Sequence, residues 1–248
     1  MAENQGYILL VHGSFHDQTC WDLLIPELQE LGFDVEAVTL PGHEDGNKSS
    51  FGIKLTDYVN HVVQKIQKIG SPVILLGHSM AGAIISIVAE QHPDLVKQLI
   101  YLTAIVPRNR DTMVKLNKKL SKVEKSVFEE AFRLPIKVLL KGRMSVDSAL
   151  AKQAFYSEQK QEMQEDLTQK IVHQPIRPFF GKIKWTNQSL GKIKKSYIEC
   201  SLDRALPIAQ QRICQQHLQF SMIKTLESDH SPFYLMPRKL AYTIKELL

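Results

Sequence analysis

The sequence predicts an α/β fold in which a mainly parallel sheet is covered by helices on both faces. Short, continuously apolar segments alternate along the chain with longer segments of helical periodicity, which is typical of strands buried on both faces. One helical block at 109–185 interrupts the alternation, which then returns. The 248 residues, 44% of them hydrophobic, suffice for one sizeable domain.

The first part of the chain is predicted to supply four strands and three helices. Apolar runs place the strands at 7–13, 34–43, 71–77 and 96–107. Apolar residues spaced three and four apart place the helices between them at 21–33, 55–70 and 80–91. Thr56 is expected to cap the second of these helices, and Gly70 to end it.

The helical block at 109–185 contains no convincing strand, and we interpret it as a cap above the carboxyl ends of the strands, where ligands bind in such sheets. The remaining elements are strands at 194–203 and 220–228 and helices at 207–217 and 237–248. The prediction is therefore a single domain over 1–248, with a six-stranded core formed by 1–108 and 186–248.

Charge and cysteine content favour neither a nucleic-acid partner nor a metal site. The net charge is +5, but the densest lysine run, 115–125, is interleaved with apolar residues and resembles a solvated helix face. The three cysteines form no CxxC motif and no cluster with histidine, which favours free thiols in the cytoplasm. The apolar run at 71–89 is broken by Gly77 and Gly82, so no membrane span is predicted.

The stretch "GHSMA" (77–81) lies where the third strand meets the third helix. A nucleophile elbow needs this context, because a serine in a sharp strand-to-helix turn projects its hydroxyl above the sheet. Small residues must flank it, and here the pattern is G-x-S-x-A, with Gly82 following. By itself the motif is equally consistent with a Gly-Ser turn between two buried elements.

Two later residues complete the pattern of a serine hydrolase. Asp203 follows one predicted strand and His230 the next, so the chain order is Ser, Asp, His, as this type of fold requires. We expect His230 to take the proton of Ser79, and Asp203 to orient and stabilise the imidazole. Asp229 is the rival acid, but a side chain adjacent to the histidine is badly placed to reach its ring.

The developing oxyanion needs two backbone amides. Met80, directly after the nucleophile, is expected to supply one, and Ser14 the other, from the turn that Gly13 permits after the first strand. We expect His12 to order this turn and His43 to be a surface or loop residue. No metal or organic cofactor is needed for this chemistry.

Four blocks carry a family resemblance: "VHGSFHDQTCWDLLIPELQELGFDVEAVTLPGH", "GHSMAG", "YIECSLDRALP" and "SDHSPF". Together they resemble the α/β-hydrolase group of plant methylesterases, salicylate-binding esterases and hydroxynitrile lyases, with their bacterial esterase relatives. The resemblance implies a six-stranded core, a helical cap and the same Ser79, Asp203 and His230. Lyases of this group carry threonine or asparagine where Gly13 stands, and one branch has lysine where Ser231 stands, so ester hydrolysis is favoured.

The expected activity is hydrolysis of a small, aromatic or apolar ester, without a cofactor. The alternatives are cleavage of cyanohydrins and a small-ligand receptor with weak or no catalysis. The sequence leaves the oligomeric state open, and the resemblance is compatible with a homodimer through the cap. The candidate pocket walls, for each of which core packing is an equally good explanation, are Gly13, Phe15, Ile105, Phe155, Tyr156, Phe179, Phe180, Trp185 and Phe233.

Overall fold

The computed structural model describes residues 5–44, 50–128 and 142–248. Its central feature is a sheet of six parallel strands in the order β2-β1-β3-β4-β7-β8. The strands are β1 (Tyr7–Val11), β2 (Asp34–Val38), β3 (Val73–His78), β4 (Val96–Leu102), β7 (Lys194–Cys200) and β8 (Met222–Leu226). Every strand is shorter at its carboxyl end than the apolar pattern predicted, except β3, because the chain leaves the sheet where the turn residues begin.

In sequence, the helices of the core lie between these strands or follow the last strand. They are α1 (Leu24–Glu30), α2 (Leu55–Ile69), α3 (Ala81–Gln91), α7 (Ile208–Gln215), α8 (Pro232–Leu235) and α9 (Pro237–Glu246). The connection β1-α1-β2 runs one way along the sheet and β2-α2-β3 runs back past β1. With right-handed crossovers, α1 and α2 therefore cover opposite faces. The predicted α/β class, with helices on both faces, is confirmed.

Helix α2 begins differently from the prediction. Thr56 lies inside its first turn, and Lys54 precedes the helix, its amide donating to the Asp57 carboxylate at 2.7 Å. Gly70 ends the helix in the left-handed region, with φ of 78°. The predicted cap was wrong by two residues, whereas the predicted stop is confirmed.

The segment between β4 and β7 contains α4 (Met113–Leu120), α5 (Ser148–Phe155) and α6 (Gln161–Gln169). The expectation that this block holds no strand was wrong, since β5 (Arg143–Met144) and β6 (Gln174–Pro175) form a short antiparallel pair. Each is only two residues long, so neither leaves an alternating pattern in the sequence. Residues 129–141 of the predicted block lie outside the described residues.

The core is continuous from the sheet into the flanking helices. Four consecutive β1 residues, from Ile8 to Val11, are completely buried, as are most residues of α3. Strand β3 is buried along its whole length because both of its faces are covered. Among the described residues, no helix is both long and apolar enough to cross a membrane.

Candidate active site

Ser79 occupies a sharp turn between β3 and α3. Its φ of 53° lies in the left-handed region, which a residue with a side chain adopts at a cost of about 1–2 kcal/mol. Two backbone hydrogen bonds hold the turn: the Ser79 amide donates to the Leu102 carbonyl at 3.2 Å, and the Ile105 amide donates to the Ser79 carbonyl at 2.9 Å. The serine therefore stands at the carboxyl end of the sheet in a conformation fixed by its neighbours.

Close backbone approach explains the small residues around this turn. A β-carbon on Gly82 would lie 2.4 Å from the carbonyl oxygen of Ile105, and one on Gly77 would lie 3.0 Å from the Ala81 backbone. A β-carbon on Gly13 would lie 2.8 Å from the β-carbon of Ser79. Ala81 itself is fully buried, so a methyl group is accommodated where the commoner motif has glycine.

Asp203 and His230 are joined by a hydrogen bond of 2.6 Å between Oδ2 and Nδ1, and both are buried. The other carboxylate oxygen, Oδ1, accepts from the amides of Ala205 and Leu206, each at 2.8 Å. The Thr103 hydroxyl also donates to Oδ2. Asp203 is thus held in one orientation, and it accepts from the imidazole without changing position.

Asp229 has a different environment. Its Oδ1 accepts from the Ser231 amide at 3.0 Å and its Oδ2 from the Glu158 amide at 3.1 Å. Burial raises the pKa of Asp229 to about 6, and the two hydrogen bonds from backbone amides lower it in part. Both carboxylate oxygens bind backbone amides, whereas the hydrogen bond to the His230 ring comes from Asp203.

The turn after β1 brings Ser14 next to the elbow. Phe15 has φ of 63°, and its carbonyl accepts from the Val172 amide at 3.0 Å. His16 Nδ1 donates to the Ser14 carbonyl at 2.8 Å, while the Tyr156 hydroxyl donates to His16 Nε2 at 2.9 Å. Within the described residues, the Ser14 and Met80 amides donate to no partner.

The strand order explains why these turns meet. β1 and β3 are neighbours in the sheet, and the chain connections leave them in opposite directions. A crevice forms at such a switch point, outside the carboxyl ends of the strands. The Ser14 turn follows β1 and the Ser79 turn follows β3, so both border this crevice.

Buried histidines support these turns as neutral groups. The Leu40 amide donates to His12 Nε2 at 3.0 Å, so the proton lies on Nδ1, which donates to the Gly13 carbonyl at 2.8 Å. Burial lowers the pKa of His12 well below its usual value. His78 Nε2 donates to the His230 carbonyl at 2.9 Å, and burial lowers its pKa as well.

His43 was expected at the surface or in a loop; it lies in a loop, but it is completely buried. Its Nδ1 donates to the His16 carbonyl at 2.8 Å, and its Nε2 accepts from the Tyr58 hydroxyl at 3.0 Å. Burial lowers its pKa to about 4. The "PGH" sequence looks like a surface turn, and only the packing of α2 over it shows otherwise.

A cavity of about 380 Å³ lies above the elbow. Ser79 and His230 both line it, together with Ser14 and Met80. Of the predicted pocket walls, Phe15, Ile105, Phe155 and Phe179 are among its lining residues. The lining also includes residues that the sequence did not single out: Val114, Asn117, Lys118, Ser121, Ser126, Phe128, Ala205, Leu206 and Gln210.

The other predicted walls lie elsewhere. Phe180 is 48% exposed and borders a second cavity. Trp185 donates from its indole nitrogen to the Pro107 carbonyl at 3.1 Å and borders a third cavity. Phe233 is fully buried against Trp21, with ring centroids 4.9 Å apart. Tyr156 is buried and binds His16, and it is not among the lining residues. Gly13 is not a wall either; its lack of a side chain allows the turn to lie close to Ser79.

Leu206 was within reach of sequence reasoning, because it comes three residues after Asp203 at a strand end. Phe128 gave no such signal, since one aromatic in a lysine-rich helical segment is usually explained by packing. Its ring lies near those of Phe15 and Phe155, with centroids 6.2 and 5.2 Å away. Among the described residues, no group of three or more His, Cys, Asp or Glu side chains is arranged to hold a metal ion.

Comparison with known proteins identifies the family to which this architecture belongs. The sequence pattern described as "Alpha/beta hydrolase family" matches residues 8–241. The chain belongs to the alpha/beta hydrolase family. The match spans the whole sheet and the segment between β4 and β7, and so covers both the elbow and the histidine turn. The resemblance and the fold class predicted from the sequence are confirmed.

Two curated relatives within this family cover nearly the whole chain. Pyrethroid hydrolase from Sphingobium wenxiniae is 29% identical over 96% of this chain and 86% of its own length. Methylesterase 7 from Arabidopsis thaliana is 26% identical over 98% of this chain and 96% of its own length. The names of these relatives confirm the enzyme class predicted from the sequence, a carboxylic ester hydrolase.

A solved structure shares the alpha/beta hydrolase fold. It is an extracellular α/β-hydrolase from a Paenibacillus species, described as similar in structure and function to tobacco salicylic acid binding protein 2. The two superpose with a TM-score of 0.82 at 21% identity, over 97% of this chain and 98% of the other. This likeness is evidence for the fold alone.

Proposed function

We propose that the protein is a serine carboxylesterase that cleaves small esters with an aromatic or apolar part, through Ser79, His230 and Asp203. The observation that carries the proposal is the 2.6 Å hydrogen bond from His230 to Asp203 beside a cavity that His230 shares with Ser79. A nucleophile, a base and an acid that orients the base are the minimum for acyl transfer.

In the first step, the Ser79 oxygen attacks the ester carbonyl carbon while His230 Nε2 accepts the hydroxyl proton. The imidazolium that forms is stabilised by Asp203, which is already held by the amides of Ala205 and Leu206. The carbonyl oxygen becomes an oxyanion bound by the amides of Ser14 and Met80. Their freedom from other described partners and their position in the cavity lining support this role.

In the second step, the C–O bond to the alcohol breaks and His230 gives its proton to the departing alkoxide, leaving an acyl group on Ser79. His230 then takes a proton from water, whose oxygen attacks the acyl carbon. The second tetrahedral intermediate collapses, the proton returns to Ser79, and the carboxylic acid leaves. The reaction written in this way requires no oxidant, reductant or metal.

The lining of the cavity supports the proposed substrate class. The rings of Phe15, Phe128 and Phe155 cluster on one side of the cavity, and Ile105 and Phe179 add further apolar surface. Such a lining favours an aromatic or branched apolar group next to the ester. The names of the relatives, a pyrethroid hydrolase and a methylesterase, agree with this class.

We extend the proposal to the organisation of the chain: residues 109–185 act as the cap of a single domain, which pairs through the cap as a homodimer. The cap role is supported by Phe155 and Phe179, which reach the catalytic cavity from this segment. A cytoplasmic location is supported by Cys20, Cys200 and Cys214, all free and buried.

Replacing Ser79 with alanine tests the proposal. We expect hydrolysis of p-nitrophenyl butyrate to fall by at least about 10³-fold, since the remaining groups have no nucleophile to activate. A fluorophosphonate probe should label the wild-type protein and leave Ser79→Ala unlabelled.

Ser189→Ala is the matched control, because Ser189 is half-buried and outside the catalytic cavity. It should keep both turnover and labelling. Undiminished turnover by a folded Ser79→Ala protein would refute the assignment, with the thermal unfolding curve showing that the variant is folded.

A further inference from the structure

A second cavity, of about 600 Å³, lies apart from the catalytic one. We call it the basic groove. It lies between α2, α3 and the segment 177–184, which includes a 3-10 helix at Arg177–Phe180. Its volume is in the usual range for small-molecule sites, roughly 300–1,000 Å³. The lining residues are Lys54, Leu55, Thr56, Val59, Asn60, Ile87, Gln91, Arg177, Phe180, Gly181, Lys182 and Lys184.

The segment 177–184 is fixed in place on one side of the groove. Gly181 packs so closely on α2 that a β-carbon there would lie 2.7 Å from the β-carbon of Leu55. Ile183 is fully buried; its amide donates to the Asp111 carbonyl at 2.9 Å, and its carbonyl accepts from the Arg110 amide at 2.7 Å. Lys182 and Lys184 flank this buried residue and are both exposed, as expected for alternating residues of an extended segment.

The charge of the groove is entirely positive. Lys54, Arg177, Lys182 and Lys184 are in its lining, which contains no aspartate or glutamate. None of the four makes an ion pair with a described residue. The acids nearest in sequence to the lining accept from backbone amides: Asp57 from Lys54, and Glu90 from Thr186 and Leu190. Glu90 also borders a third cavity together with Lys184.

The groove also has an apolar part. Leu55 and Val59 are one helical turn apart on α2, and Ile87 comes from α3. Phe180 adds a large apolar side chain that is 48% exposed. An exposed phenyl ring beside four cations suits a ligand with one apolar end and one negative end, because each part then meets its complement.

We propose that the basic groove is a binding site for an amphiphilic carboxylate, that is, a small molecule with an alkyl or aryl chain and one carboxylate. The carboxylate is held by Lys182, Lys184 and Arg177, and the chain lies on Leu55, Val59, Ile87 and Phe180. The site is independent of the proposed esterase mechanism, since none of its residues takes part in the chemistry at Ser79.

The catalytic cavity is a second place where such a ligand could bind, because it too is apolar. Phe179 and Phe180 are consecutive, yet Phe179 lines the catalytic cavity and Phe180 the basic groove. The two sites therefore have separate side chains, and variants of one leave the lining of the other unchanged. Lys118, an exposed lysine in the catalytic lining, supplies the matched variant for that cavity.

Isothermal titration calorimetry of the full chain with decanoate tests the site. We expect decanoate to bind, and both acetate and decanamide to bind at least about tenfold more weakly, since acetate lacks the chain and decanamide lacks the charge. Raising the salt concentration should weaken decanoate binding, because the cations are exposed and screened.

The double variant Lys182→Glu, Lys184→Glu should weaken decanoate binding by about tenfold or more, because two attractive charges become repulsive. Phe180→Ala tests the apolar part and should weaken binding as well. The double variant Lys97→Glu, Lys245→Glu is the control for overall charge, because it changes the net charge by the same amount. Both lysines are exposed and outside both cavities, so the affinity of this control should match the wild type.

Failure of the wild type to bind decanoate would overturn the proposal. So would undiminished binding by both groove variants, or a loss that occurs with Lys118→Glu and not with the groove variants, which would assign the ligand to the catalytic cavity. Equal losses in the control Lys97→Glu, Lys245→Glu and in the groove variant Lys182→Glu, Lys184→Glu would reduce the effect to net charge and also overturn the proposal. Activity of Ser79 enters none of these readouts, so failure of the esterase proposal leaves them unaffected.

Discussion

Asp203 and Asp229 are two buried carboxylates near the same histidine turn, and their hydrogen-bond partners give them different roles. Asp203 meets the His230 ring at 2.6 Å, whereas Asp229 accepts amides from Ser231 and Glu158. Only a charge in contact with the imidazole both selects its tautomer and stabilises its protonated form. The choice made from the sequence, Asp203 over Asp229, agrees with these contacts.

Asp203→Asn is therefore expected to lower kcat for a p-nitrophenyl ester by about 10³–10⁴-fold, because the neutral amide neither stabilises the imidazolium nor fixes the tautomer. Asp229→Asn is the matched variant, and its effect should stay below about tenfold. Steady-state kinetics of both proteins at neutral pH makes the comparison. A greater loss in Asp229→Asn than in Asp203→Asn would exchange their roles.

Single residues differ in how far the sequence predicts them. The positions of Ser79, Asp203 and His230 at the carboxyl ends of strands were predictable, because each follows an apolar run in the sequence. Phe179 and Phe180 were both named as pocket walls, yet only Phe179 lines the catalytic cavity. Consecutive side chains of a 3-10 turn point in different directions, and the sequence does not show which one faces the cavity.

At the scale of elements, β3, the elbow and α3 form one unit packed against the loop after β4. The contact is closest at Gly82, where the α3 backbone meets the carbonyl of Ile105. The same loop donates the Ile105 amide to the Ser79 carbonyl. The helix position and the serine conformation therefore depend on one another.

Gly82→Ala is expected to destabilise the protein, because the new methyl would lie 2.4 Å from a backbone oxygen that cannot rotate away. Overpacking of a tight core costs roughly 1–3 kcal/mol in the free energy of unfolding, and here we expect the upper end. Urea unfolding measures it. Gly191→Ala is the control, since its closest contact would be 3.2 Å from a side-chain atom of Asn187; equal costs for the two variants would contradict the explanation.

Three hydrogen bonds illustrate how the described elements between β4 and β7 are tied to the catalytic turns. Tyr156 binds His16, the Val172 amide binds the Phe15 carbonyl, and the Glu158 amide binds Asp229. The sequence predicted that this segment lies over the site, but not these contacts. Two of these three hydrogen bonds involve backbone groups. Because every residue has these groups, a sequence motif does not indicate which of them will form such bonds.

In the molecule as a whole, four histidines near the site besides His230 are buried among the described residues: His12, His16, His43 and His78. Burial lowers the pKa of each, to about 4 for His16 and His43. An unfolded chain binds protons at these residues near pH 6.5, whereas the folded chain does not. Their contribution to stability is therefore full above pH 6.5 and is lost as the pH falls towards 4.

We expect the free energy of unfolding to decrease from pH 7 to pH 5, by up to about 1.4 kcal/mol per pH unit for each such histidine. Asp229, with its pKa raised to about 6, works in the opposite direction over this range and offsets part of the slope. The measurement is urea unfolding at several pH values.

His43→Gln should lower by nearly one the number of protons taken up on unfolding, and so reduce the slope of the free energy of unfolding against pH. This change is expected whatever the variant does to the stability at neutral pH. Ser189→Ala is the control, because it removes no ionisable group and should leave the slope unchanged. If His43→Gln and wild type had the same slope, the neutral state assigned to His43 would be wrong.

The sequence by itself determined the fold class and the order of strands and helices, together with the strand ends that carry the serine, aspartate and histidine. It could do so because hydrophobic periodicity and glycine placement are local properties, and a parallel sheet gathers its carboxyl ends at one edge. The tertiary structure decided which aromatic side chains line the catalytic cavity, that His43 is buried, and that four cations surround a separate groove. These features depend on the packing of segments that are far apart in the chain, and the local sequence around a residue does not indicate how such segments pack.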